Sequence, residues 1–81
     1  MITKEQVRGA RALLNWTAQD LADKSGAAIN TIRRFENGAD AMGGTLAKIE
    51  AALEDAGVVF IPAGSYQGSG GPWVRLKGEA G

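Results

Sequence analysis

The side chains best equipped for recognition chemistry lie close together, at Asn30, Arg33 and Arg34. A guanidinium presents its donors as a planar fork, and a carboxamide both donates and accepts. On an isolated helix such residues would simply form a solvated face, so their meaning depends on the frame that holds them. Two carboxylates, Asp20 and Asp23, stand three residues apart, a spacing also found in metal and acid–base pairs. The chain has no His and no Cys. That removes zinc fingers, iron–sulfur sites, thiol nucleophiles and every imidazole-based acid–base arrangement. Without a second cluster or a nucleophile, the two aspartates read as a solvated face. Gly68-Ser69-Gly70-Gly71 suggests a phosphate cradle, but it lacks the Gly-Lys-Ser/Thr ending and no helix follows, so it reads as a connector. No enzyme, metal or cofactor is expected.

Composition bounds the rest. Eighty-one residues allow one modest core, and a hydrophobic share of 44% suits a folded globular chain. The longest purely apolar run, Val58-Val59-Phe60-Ile61, is far short of a membrane span, and Met1-Ile2-Thr3-Lys4-Glu5 does not read as a secretory signal. The absence of Cys is compatible with a reducing cytoplasm, the expected location. Nine Lys and Arg balance nine Asp and Glu, a formal net charge of zero. On its face this argues against a nucleic-acid binder, whose usual footprint is basic. The neutrality is uneven, however. Residues 1–38 carry six cations against four anions, residues 39–57 one against four, and residues 58–81 two against one. A basic first half therefore precedes an acidic segment.

The elements that must position these groups follow from spacing. Thr3 and Gln6 have capping-box separation, and Val7, Ala10 and Leu14 form one helical stripe with Leu13 beside it. Thr17 can cap a second helix, with Asp20 near its positive end, Leu21 and Ala22 inward, and Gly26 as its stop. A third helix is expected over about 28–37, burying Ile32 and Phe35. A fourth is expected to start after Thr45, burying Leu46, Ile49 and Leu53 and stopping at Gly57. Gly43 and Gly44 read as punctuation before it. Beyond Gly57, Val58–Ile61 reads as a strand and Trp73-Val74-Arg75-Leu76 as a possible second one. Ala63 to Pro72 between them reads as a mobile loop.

Leu21-Ala22, Gly26, Ile32, Phe35-Glu36 and Gly38 make the pattern of two short helices crossing at a tight turn. With Trp16 to Gly26, Thr31 to Gly38, Thr45-Leu46 and Ile49, residues 4–57 resemble the lambda-repressor-like (Cro/Xre) family of helix-turn-helix DNA-binding domains. The resemblance implies a mainly α fold of four to five helices, here with a short C-terminal β element. It divides the chain into a DNA-binding domain over 1–57 and a tail over 58–81.

The resemblance also implies roles. Ala28, Ile29, Asn30 and Arg34 would face base edges in the major groove. Arg34 suits guanine, Asn30 adenine, and Ile29 a thymine methyl. Ile29 lies off the stripe of Ile32 and Phe35 and is expected exposed; a partner contact or a peripheral packing role stays open. Thr17, Ala18, Gln19, Thr31 and Arg33 would contact phosphates, the first three through backbone N–H groups at a helix start. Arg11 and Glu36 match a pair that in this family ties the first helix to the end of the third, though an ordinary surface ion pair is the alternative. Departures are Ala18 where the family often has Gln, Ala27 and Ala28 where it often has a capping Ser or Thr, and an Ala39–Gly44 loop one residue short.

Trp16 is expected in the core, and Trp73 either over the helices or in a subunit interface. A lone hairpin is marginal in water, so the tail needs something to pair with or pack on. Val58, Val59, Phe60, Ile61, Trp73 and Val74 are the expected dimerisation residues. The expected function is sequence-specific regulation of transcription, as a small repressor or autoregulator, by a homodimer on double-stranded DNA bearing an inverted repeat. The alternative is a protein-interaction module of the antitoxin or antiactivator type on the same fold.

Overall fold

A computed structural model describes residues 2–62 and 73–78. The expected loop from Ala63 to Pro72 lies outside the described residues. Four helices are followed by two strands: α1 (Lys4–Leu14), α2 (Ala18–Ser25), α3 (Ile29–Glu36), α4 (Gly43–Asp55), β1 (Val58–Ile61) and β2 (Trp73–Leu76). Among the described residues no helix is long and apolar enough to cross a membrane.

The first two helices begin with complete capping boxes. Thr3 Oγ1 accepts from the Gln6 N–H at 3.2 Å, and Gln6 Oε1 accepts from the Thr3 N–H at 2.9 Å. At α2, Thr17 Oγ1 accepts from the Asp20 N–H at 3.0 Å and Asp20 Oδ2 from the Thr17 N–H at 2.9 Å. Each box satisfies two N–H groups that a helix start otherwise leaves unpaired. Neither α3 nor α4 has a side-chain cap: Ala28 and Met42 occupy those positions. These two helices are held by what they bury rather than by local polar closure. Ile32, Leu46, Ile49 and Leu53 are all buried.

Helix α4 starts at Gly43, earlier than expected, with Gly43 and Gly44 in its first turn. Glycine lowers helix propensity by about 1 kcal/mol relative to Ala without forbidding the conformation. Burial of Leu46 and Ile49 from the same helix outweighs that local cost. Helix α3 runs one residue short of expectation at each end.

One core joins all four helices and the tail. Val7 and Ala10 from α1, Leu21 and Ala22 from α2, Ile32 from α3, the α4 side chains and Val58 from β1 form a single buried cluster. Trp16 packs partly buried against it, as expected, and Leu13 stays exposed.

Strands β1 and β2 pair with each other, antiparallel, matching Val58 with Leu76, Val59 with Arg75, Phe60 with Val74 and Ile61 with Trp73. Side chains alternate faces along a strand. Val58, Phe60, Val74 and Leu76 therefore share the face that packs on the core, which places Val59, Ile61, Trp73 and Arg75 on the other. The hairpin lies against α1. Gln6 is 3% exposed, and its Nε2 donates to the carbonyls of Ile61 and Trp73, both at 3.2 Å. One amide thus caps a helix and holds both strands at the end of their ladder. A Cβ on Gly9 would come within 3.2 Å of Val74 Cγ2, so the glycine lets β2 approach α1 closely.

Candidate nucleic-acid interface

The frame of the site is α2, a turn and α3. Gly26 closes α2 with φ 78°, a left-handed conformation that side chains disfavour, and its N–H donates to the Ala22 carbonyl at 2.9 Å. The Ser25 hydroxyl accepts from the Ala27 N–H at 3.1 Å, and Ala27 is buried. The turn is therefore fixed by one glycine and one serine, and α3 leaves it at a set angle.

Ile32 anchors α3 from beneath at 0% exposure. Residues four apart share a helix face, so Asn30 and Arg34 form one ridge on the side away from Ile32. Both are exposed, as are Ala28 and Arg33. Among the described residues neither Arg33 nor Arg34 makes an ion pair. Of the roles left open for Ile29, the structure shows peripheral packing: it is half-buried against the core, because it starts the helix on the flank nearest Ile32. Thr31 is half-buried beside Arg34, Asp40 and Thr45. Ala28 precedes the first turn of α3 and carries no side-chain cap bond.

The opposite end of α3 is tied to α1. Arg11 donates to Glu36 through two nitrogens, Nε to Oε2 at 2.8 Å and Nη2 to Oε1 at 2.6 Å, and Nη1 donates to the Trp16 carbonyl at 3.2 Å. Glu36 is 8% exposed. This is the structural tie rather than a loose surface pair. The Glu36 hydrogen bonds raise the Arg11 pKa above its ordinary value, with burial opposing them. Paired this way, Arg11 secures the frame instead of offering its charge outward.

At the start of α2 the capping box consumes the N–H groups of Thr17 and Asp20. Those of Ala18 and Gln19 lack an intrahelical partner by position, so they are the donors left for an anion. The Gln19 side chain donates to Asp23 Oδ1 at 2.9 Å. Both aspartates noted in the sequence thus have local hydrogen-bonding roles. One role was not legible in the residue pattern. Gln6 looked like a capping residue alone, since its strand partners are 55 and 67 residues away.

A helix-turn-helix family model of the Cro/C1 type matches residues 7–54, from α1 through α4. No curated protein matches the chain. That family is DNA-binding and non-enzymatic. Its span contains the Gly26 turn, the Arg11–Glu36 tie and the outward ridge of α3. The chain belongs to the helix-turn-helix family of lambda-repressor-like, DNA-binding transcription regulators.

Proposed function

We propose that the domain is a sequence-specific regulator that reads the major groove of double-stranded DNA with α3, acting as a small repressor or autoregulator. The observation that carries this reading is the exposed Asn30–Arg34 ridge, with Arg33 beside it, on a helix whose other faces are buried or tied. Arg34 donates as a fork to guanine and Asn30 pairs with adenine. Each good bidentate contact is worth about 1–3 kcal/mol of discrimination against the wrong base. Arg33, Thr31 and the N–H groups of Ala18 and Gln19 take phosphates, setting the register of α3. Ile29 supports the helix from its flank rather than reading a methyl group.

A single recognition helix covers few base pairs, and this class gains specificity by pairing two half-sites about one helical turn apart. The second copy docks on the outward face of the hairpin, through Val59, Ile61 and Trp73. Val58, Phe60 and Val74 serve the core instead. The test is an Arg33→Ala/Arg34→Ala double substitution, with far-ultraviolet circular dichroism as the check on folding. Loss of operator binding by a folded protein is expected. Unchanged binding to the same operator would refute the reading.

A further inference from the structure

Arginine lines one surface depression from two separate elements. Arg8 and Arg11 of α1, Ala18 at the first turn of α2, and Arg33, Glu36 and Asn37 around the end of α3 enclose a space of about 360 Å³. The charges within it are not equal. Glu36 is engaged by two donors of Arg11, so that pair is mutually neutralised. Arg8 and Arg33 are exposed and make no ion pair among the described residues, Glu5 included, although Glu5 and Arg8 border the neighbouring depression together. Two uncompensated guanidinium groups therefore flank a concave surface to which Ala18, with its unpartnered N–H, also contributes.

From this we infer that Arg8 is a DNA phosphate contact, so that α1 grips the backbone alongside α2 and α3. The inference rests on the proposed reading by α3 and extends it to a helix outside the two-helix motif. A phosphodiester seated in the depression meets Arg8 from one wall and Arg33 from the other, with the α2 donors beside them. The geometry assigns the Arg11–Glu36 tie a second consequence. By fixing α1 against the end of α3, it sets the separation of Arg8 from Arg33, and with it the register of the backbone. A phosphate contact of this kind carries no base preference. It adds to affinity on every sequence and to its salt dependence, because each neutralised phosphate releases counterions.

The test uses the full chain and two duplexes, one carrying the operator recovered from a random pool and one unrelated. Affinities are measured across a salt series for the wild type, Arg8→Gln, Arg8→Lys and Arg34→Ala. Arg8→Gln is expected to weaken both duplexes several-fold and alike. It should make the slope of log affinity against log salt shallower by about one unit, leaving the ratio between the duplexes unchanged. Arg8→Lys should restore the slope, since a phosphate needs the charge rather than the fork. An Arg8→Gln protein with wild-type affinity and slope, in which Arg34→Ala still collapses the ratio, would overturn this inference while leaving the reading by α3 intact. Absence of duplex binding by the wild type would overturn both.

Discussion

The two ends of this domain solve opposite problems. The α2–turn–α3 frame must hold polar groups outward without a partner, and the hairpin must hide apolar groups with only two strands. The frame is rigidified by several closures that are local in sequence: the Thr17–Asp20 box, the Gly26 turn and the Ser25–Ala27 bond. One long-range tie, Arg11 to Glu36, then locks its far end. The hairpin is attached to the helices over long sequence separations instead. It depends on Val58, Phe60, Val74 and Leu76 packing inward and on the single amide of Gln6. A recognition surface can keep its charges unsatisfied because the structure around them is over-determined. The hairpin's described polar attachment to α1 runs through the Gln6 amide, which reaches both strands.

The largest effect is expected at Arg11. Arg11→Ala leaves the Glu36 carboxylate nearly buried with no counter-charge. The expected loss is roughly 2–3 kcal/mol, discounted from the range for fully buried pairs because Arg11 is partly exposed. Urea unfolding of both proteins measures it. The sign with pH follows from the raised Arg11 pKa. A group whose folded pKa is raised contributes its stability below the unfolded value and loses it as pH rises through the folded one, so the Arg11 contribution is present at neutral pH and is lost in strong alkali.

Gln6→Leu attacks the other region. It strips the Ile61 and Trp73 carbonyls of the Gln6 donor and the Thr3 N–H of its acceptor, at a cost of about 1–2 kcal/mol. Amide exchange resolves where the loss falls: the hairpin amides should accelerate more than those of α3. Equal acceleration in both would mean that the hairpin is not a separately weakened unit. The smallest effect concerns the helix that lacks a cap. Ala28→Ser supplies a hydroxyl at the N-cap of α3 and should stabilise by about 0.5–1 kcal/mol in thermal unfolding.

What was readable in the sequence follows the same division. Thr3–Gln6, Thr17 and Gly26 act over three or four residues, and both strands have the bounds that their composition implies. The helix-turn-helix pattern was legible because turn chemistry and apolar spacing are local. Ile29 stayed open between an exposed and a packed role because a position off the main stripe still reaches the core where the helix begins. Helix α4 begins before the position its glycines imply because glycine propensity is weaker than the burial of Leu46 and Ile49. The packing of the tail against α1 was hidden in Gln6 and Gly9, whose strand partners lie more than 50 residues away. The zero net charge was the most misleading signal. The acidic segment includes Glu50, Glu54 and Asp55 on α4, whereas Arg8 and Arg33 border one depression and Arg34 lies on the outward ridge of α3.

The proposed function turns on whether α3 reads sequence. The most direct measurement is selection of bound duplexes from a random pool by the full chain, at stated salt, with the Arg33→Ala/Arg34→Ala protein run in parallel. The expected result is enrichment of an inverted repeat by the wild type, with half-sites about one helical turn apart, and none by the variant. A wild-type pool that stays random, or a variant that enriches the same repeat, would contradict it.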